Sequence, residues 1–350
     1  MEDKMFLKKL SEELGVSGYE EDIAKTISSS FETYVDDIRY DTMGNLIAYK
    51  KGQGENRPKI MLAAHMDEIG LMVTKIEEGG FLRFTTVGGV DQRTLVGQEI
   101  VIYGKESLIG IIGAKPPHIQ SKEEQKKAFK VKDMYIDLGL SEEEVKSLVQ
   151  IGDTITVKRE FSSLRNDRVT GKALDDRAGV LMILEIIKLL SKLKHRADIY
   201  AVATVQEEVG VRGAITSTYG IVPDVGIAID VCHATMPGVS KEDASELGEG
   251  PAIGFGPHVH PQIFNRFKDL ADKLDIPYQV EPSTRPGGTD AYSIQVSRCG
   301  VATGLISIPL RYMHTSVETV SMEDIRRGAR LLTHFIGDLN GEFVEGLRCF

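Results

Sequence analysis

Five short motifs carry histidines and carboxylates that together could hold two metal ions: His65-Met66-Asp67, Leu174-Asp175-Asp176-Arg177, Gln206-Glu207-Glu208-Val209-Gly210, Ala228-Ile229-Asp230 and Met313-His314. Several stand where an apolar run stops, the place where an α/β protein collects its chemistry. Two first-row metal ions side by side can activate a water and polarise a carbonyl together. A carboxylate left over beside them can move the proton. That chemistry is hydrolysis, and the first bond to consider is a peptide bond.

Each motif has its own logic. His65 and Asp67 lie two apart at the end of an apolar run, so on extended backbone both side chains point the same way. A ligating histidine usually gives its second ring N–H to an oxygen, and Asp67 could serve His65 in this way. A His and an Asp in an ordinary surface loop would read alike. A carboxylate at Asp175-Asp176 could bridge two ions, one on each oxygen. Helix capping is the competing use, and Asp176 reads as a cap or an orienting group. Glu207 and Glu208 follow a buried-strand pattern, where adjacent carboxylates are costly unless paired or metal-bound. Extended backbone turns them to opposite sides, which suits one ligand and one general base. Asp230 closes another apolar run, with His233 nearby as a rival ligand. His314 completes the count. Two histidines and three carboxylates give each ion a His, a private carboxylate and a share of a bridging Asp, with a position open for water. Histidines shift the preference toward zinc or cobalt, with manganese also in range.

Such residues need strands that end beneath them. Apolar runs predict buried strands over Ile60–Ala64, Ile199–Val205, Val225–Ile229 and Val301–Ile308. Helical periodicity predicts helices over Phe6–Leu14, Glu20–Phe31, Ala178–Leu193, Val211–Tyr219, Gln262–Leu274 and Met322–Leu339. Val35–Tyr40 and Leu46–Lys50 read as strands around a Met43-Gly44-Asn45 turn. Between about 69 and 160 the texture changes to short β runs separated by glycines: Leu71–Ile76, Phe81–Val87, Glu99–Tyr103, Leu108–Ala114 and Thr154–Lys158. One helix, Ser141–Gln150, interrupts them, with Ser141 and Glu144 as a capping box. The charged stretch Gln120–Lys130 reads as a mobile loop. The expected fold is a mixed-sheet α/β/α domain of residues 1–68 and 166–350, with a small β-barrel domain, 69–165, inserted in it.

Composition narrows the partners. A formal net charge of −10 argues against a nucleic-acid polyanion. No 18-residue apolar run is present, so no membrane-spanning helix is expected. Cys232, Cys299 and Cys349 are few and far apart, which fits reduced thiols and a cytoplasmic setting and offers no cysteine zinc site.

The motifs resemble the glutamyl and deblocking aminopeptidases, a dinuclear metallopeptidase family of tetrahedral aminopeptidase type. The resemblance covers nearly the whole chain and includes Ala173-Leu174-Asp175-Asp176-Arg177-Ala178-Gly179, Arg285-Pro286-Gly287-Gly288-Thr289-Asp290 and Met313-His314-Thr315. It implies one ion on His65 and Asp230, the other on Glu208 and His314, with Asp175 bridging and Glu207 as general base on a shared water. It also implies a cis peptide between Asp175 and Asp176, and a PDZ-like dimerisation role for the β-rich insert. The implied substrates are short peptides with a free N-terminus, and the implied assembly is a dodecamer of six dimers. Asp290, His258 and His118 are candidates for the substrate region. His118 would act only if the β domain docks on a neighbouring subunit. His258 and His260 alternate as zinc ligands can, but a structural or pocket role is preferred.

Other readings set bounds. A metal-independent glycoside hydrolase could use Glu207 with another acid, but a chain with no Trp and 7% aromatics has few rings on which to stack sugars. A metal-stabilised assembly module would favour a closed, Cys-rich site. A dinuclear amidase or carboxypeptidase would need a cation for a substrate carboxylate, and Arg285 is the obvious one near the motifs.

Overall fold

The computed structural model describes residues 2–284 and 288–347. Arg285, Pro286, Gly287 and Cys349 therefore lie outside the described residues. Four parallel strands form the centre of the main sheet, in the order Asp198–Thr204, Lys59–His65, Val225–His233 and Ala302–Arg311. Their sequences are close to continuously apolar because both faces are covered. Antiparallel strands extend the sheet on both sides. Leu46–Lys50 and Asp37–Tyr40 flank Asp198–Thr204, while Glu318–Ser321, Arg168–Gly171 and Ser162–Ser163 continue beyond Ala302–Arg311. A side pair, Ala252–Phe255 with Gln279–Pro282, joins the same sheet.

Helices cover both faces. A Cβ at Gly226 would meet Ile294 of the helix Asp290–Gln295, whereas one at Gly304 would meet Ile263 and Phe267 of Pro261–Lys273. Gly226 pairs with Thr303, the neighbour of Gly304, so these two glycines face opposite sides. Helix Leu174–Leu190 is buried almost all round, between the sheet and the helices Glu2–Glu12 and Met322–Asp338.

The insert is a closed six-stranded barrel of Gly70–Ile76, Leu82–Val87, Met134–Asp137, Ser107–Ala114, Glu99–Tyr103 and Thr154–Val157. It has its own core around Leu71, Leu82, Ile100, Ile136 and Ile155, separate from that of the sheet. Residues 120–130 form an exposed run of turns beside it. The capping box at Ser141 and Glu144 is present at the start of Glu142–Leu148.

Several elements differ from expectation. The helical span Leu174–Leu190 takes in Asp175 and Asp176, but both have non-helical backbone angles, so regular helix starts after them, close to the expected Ala178. The peptide between them is cis, as the resemblance implies. The strand expected to stop at Ile229 continues to His233, which puts Asp230 within the strand. The four-residue strands Met134–Asp137, Arg168–Gly171, Ala252–Phe255, Gln279–Pro282 and Glu318–Ser321 were not visible in the sequence. Four residues are too few to display a period, and their pairing is dictated by strands far along the chain.

A buried ionic cluster ties the N-terminal helix to the loop that carries His65. Lys172 Nζ donates to both oxygens of Glu68 at 2.8 and 2.7 Å, and an Arg177 N–H donates to Glu68 at 3.1 Å. The fully buried Arg177 also donates to the carbonyls of Leu10, Glu13 and Met66. Removing one partner strands the others in low dielectric. Arg177→Met should therefore lower stability by about 3–5 kcal/mol, read as a fall in the urea midpoint. An unchanged midpoint would show that the cluster does not anchor this corner.

Candidate metal centre

The strand register brings the motifs to one level. Thr204 pairs with His65, so Glu207 and Glu208, just past Thr204, arrive beside the His65 loop. Ala228 pairs with Ala63, which sets Asp230 level with His65 on the other side. Asp175 enters from the first turn of the helix crossing these strand ends, and His314 from the turn between Ala302–Arg311 and Glu318–Ser321. This is the carboxyl edge of the parallel strands, where open α/β sheets bind their ligands.

Asp175 stands in the middle. Its Oδ1 lies 3.1 Å from His65 Nε2 and its Oδ2 lies 3.5 Å from His314 Nε2. His314 Nε2 is also 3.5 Å from Glu208 Oε2. Two groups of potential ligand atoms result, His65–Asp175–Asp230 and Asp175–Glu208–His314, each with its atoms within 4.8 Å of one another. They share Asp175, as a bridging carboxylate must. Glu207 belongs to neither group. Its Oε2 sits 3.9 Å from His65 Nε2, and its Oε1 has no hydrogen-bond partner among the described residues. His233 is exposed and outside both groups.

The surroundings hold these side chains in place. The Asp67 carbonyl faces His65 Nδ1 at 3.1 Å, and because a carbonyl only accepts, Nδ1 carries a hydrogen there while Nε2 faces Asp175. The Asp67 carboxylate lies farther from that nitrogen, at 3.5 Å. It accepts instead the backbone N–H groups of Glu207 and Glu208, at 3.0 and 3.2 Å, and the Ser17 hydroxyl at 2.5 Å. Asp176 accepts the His65 and Gly179 amides. Glu318, whose significance the sequence concealed, accepts the amides of Leu174, Asp175 and His314 at 2.8, 3.1 and 3.0 Å. Glu20 accepts the amides of Gly18 and Gln206. In the sequence Glu20 reads only as a helix start, and Ser17 carries no signal. Their partners lie 50 and 186 residues away, and no local pattern announces such bonds.

The remaining candidates stand farther out. Asp290 is buried, accepts the Thr204 hydroxyl at 2.6 Å and keeps Oδ1 without a partner among the described residues. His260 caps the helix Pro261–Lys273, accepting the Gln262 amide. His258 is buried nearby, with Nδ1 lacking a partner among the described residues. His118 is exposed on a turn of the barrel connection, outside both groups.

Burial and mutual repulsion raise several of these acids. Burial lifts Glu207 to about 10, Asp230 to about 8 and Glu208 to about 7, with neighbouring carboxylates adding to it. Burial also raises Asp175, but hydrogen bonds from His314 and His65 outweigh it and hold the group below the usual carboxylate range. The hydrogen bond to Asp175 lifts His314 to about 9. Fully ionised, the donor set would set three carboxylates against two imidazoles, so Asp230 and Glu208 keep protons in the metal-free protein, and divalent cations would take the protons' place.

A family model described as M42 glutamyl aminopeptidase matches residues 44–331. The lysyl aminopeptidase of Pyrococcus furiosus is 39% identical, over 97% of this chain and 98% of its own. Among solved structures, a TET aminopeptidase from a marine-sediment Thaumarchaeota archaeon is 35% identical, covers 99% of both chains and has a TM-score of 0.94. The TET1 peptidase of Pyrococcus horikoshii, described as assembling into a tetrahedron or a large octahedral shell, is 34% identical over 96% of this chain and all of its own, with a TM-score of 0.85.

The raised acids set a pH dependence for the metal-free protein. Asp230 and Glu207 bind protons more tightly folded than unfolded, so their contribution is complete below the ordinary carboxylate range and fades as pH rises toward about 8 and about 10. Each such proton is worth at most about 1.4 kcal/mol per pH unit. The melting temperature of chelated protein should fall between about pH 5 and pH 8, and less so in Asp230→Asn and Glu207→Gln. Added Co²⁺ should raise it most at the alkaline end, because ions need deprotonated ligands. A melting temperature that climbs with pH in chelated protein, equally in both variants, would contradict this electrostatic picture.

Proposed function

The chain belongs to the M42 glutamyl aminopeptidase family, and we propose that it is a dinuclear-metal aminopeptidase that releases the first residue of peptides with a free N-terminus. Peptide hydrolysis of the aminopeptidase kind comes with the family; the ions and the role of each residue are our reading. The observation that carries it is the position of Asp175 between two histidines, its two oxygens facing one each, with Glu207 beside the pair but in neither group.

His65, Asp175 and Asp230 would hold one ion, and Asp175, Glu208 and His314 the other, with zinc or cobalt the best fit to the donors. Bound ions supply Lewis acidity, polarising the scissile carbonyl and making a water more acidic. Glu207, ionised once cations occupy the neighbouring ligands, would accept the proton of the attacking water through Oε1, which has no partner among the described residues, and return it to the leaving amine. Asp67 takes part by holding the Glu207 and Glu208 amides and by fixing the His65 ring through its carbonyl. Asp290, near enough to Glu207 to help raise it, would line the substrate space, and His258 belongs to another candidate wall. If the barrel docks on a neighbouring subunit, the exposed His118 would reach the shared site.

We assign residues 1–68 and 166–350 to the catalytic domain and 69–165 to a PDZ-like dimerisation domain. The Pyrococcus horikoshii neighbour, described as able to assemble into a tetrahedron or a large octahedral shell, supports self-assembly, for which we favour a dodecamer of six dimers. The sparse cysteines support a cytoplasmic setting.

Glu207→Gln should keep both ions and lose about 10²–10⁴-fold in kcat, the usual share of a general base. A panel of peptides with free or acetylated N-termini, beginning with Leu, Glu or Lys, assayed before and after chelation and Co²⁺ or Zn²⁺ return, tests the rest. Cleavage confined to free N-termini and abolished by chelation is the expected result. Near-normal turnover in Glu207→Gln would remove that residue from the mechanism, and chelator-resistant hydrolysis would remove the ions.

A further inference from the structure

The two histidines of the centre are held in different ways. His65 is buried, and its Nδ1 faces the carbonyl of Asp67, two residues along the same loop. His314 has a side chain about a third exposed, and its Nδ1 faces the carbonyl of Gly89 at 3.0 Å, 225 residues away and in the inserted barrel. A carbonyl oxygen has no hydrogen to give, so this contact keeps a hydrogen on Nδ1 and turns Nε2 toward Asp175 and Glu208.

The barrel is built to make this approach. Its first strand leaves the His65 loop at Gly70, and the second returns to pair Val87 with Gly70, which carries Gly88 and Gly89 back to the centre. Gly88 takes a φ of +75°, a conformation glycine adopts without cost, and a Cβ there would stand 2.9 Å from Ile69 and 3.4 Å from Glu208. A Cβ on Gly89 would stand 2.6 Å from His314 Nδ1, and its three nearest atoms all belong to that ring. Gly89 has no positive φ of its own, so a side chain there offends the histidine rather than the backbone. On the far side, Glu318 grips the His314 amide. The ring is thus set from the barrel and its backbone from the sheet.

We propose that Gly89 is a positioning residue for His314, so that the ion position built on Asp175, Glu208 and His314 depends on the seating of the barrel, while the position built on His65 does not. The proposal rests on the two-ion reading given above. It makes the barrel part of the centre rather than an attachment, since any contact that shifts the Val87–Val90 turn would change one ion position and spare the other.

Calorimetric titration of chelated protein with Co²⁺ or Zn²⁺ tests this, in wild type and in Gly89→Ala. Wild type should take up two ions. Gly89→Ala should keep one at wild-type affinity and bind the second about 10–100-fold more weakly, the usual cost of disturbing a ligand's supporting hydrogen bond. Metal-free Gly89→Ala should melt close to wild type, and any destabilisation should disappear when His314→Ala is added, because the crowding is with that ring. Two undisturbed ions in Gly89→Ala would overturn the inference alone, as would equal weakening of both. A wild type that binds no pair of ions would overturn the inference together with the reading beneath it.

Discussion

Buried carboxylates converging at one edge of a sheet are the constraint on which this structure turns. Asp175, Glu207, Glu208 and Asp230 meet at the ends of the parallel strands, with Asp67, Asp176, Asp290 and Glu318 buried behind them. Like charges in low dielectric repel strongly, and each needs donors. The protein supplies them from the backbone: Asp67 takes the amides of Glu207 and Glu208, Asp176 those of His65 and Gly179, Glu318 those of Leu174, Asp175 and His314. Each bond satisfies an acid and also fixes the loop that donates to it. What is left unbalanced points inward, toward the space between the two histidines.

The sheet and the barrel divide the work of support. Parallel pairing sets Thr204 level with His65, and the pairing of Ala228 with Ala63 carries Asp230 to the same level, so three of the motifs arrive together without further adjustment. The cluster of Glu68, Lys172 and Arg177 then fastens the His65 loop to the helix that carries Asp175 and to the N-terminal segment. His314 arrives from a turn instead of a central strand, and the barrel steadies it through Gly89.

Much of the fold was legible because its signals are local. The continuous apolar runs before His65, before Glu207 and through Ile229 announced covered parallel strands. Ser141 with Glu144 announced a helix start, which the capping box confirms. Boundaries failed where a non-local contact decided them. Asp175 and Asp176 look like residues before a helix and their backbone is indeed non-helical, but what holds that kink is distant in sequence: the Asp175 amide donates to Glu318, and Asp176 accepts the His65 amide. Asp230 looks like a strand end, yet the strand runs on to His233 because Ala302–Arg311 pairs with it over its full length. The strand Met134–Asp137 that helps close the barrel is four residues long and has meaning only between Leu82–Val87 and Ser107–Ala114.

By itself the sequence determined which residue types are available for chemistry, because a histidine or a carboxylate at the end of an apolar run is recorded in the run. It determined that strands would be covered on both faces and that a glycine-punctuated β segment interrupts them, because burial and turns leave periodic, local marks. Only the tertiary structure decided that Asp175 stands between the two histidines, that the Asp67 carboxylate serves the glutamates more closely than His65, and that Glu318 and Gly89 belong to the same centre. Those are distances between residues tens to hundreds of positions apart. They are set by strand register and by the docking of one element on another, and neither is written in the spacing of residues along the chain.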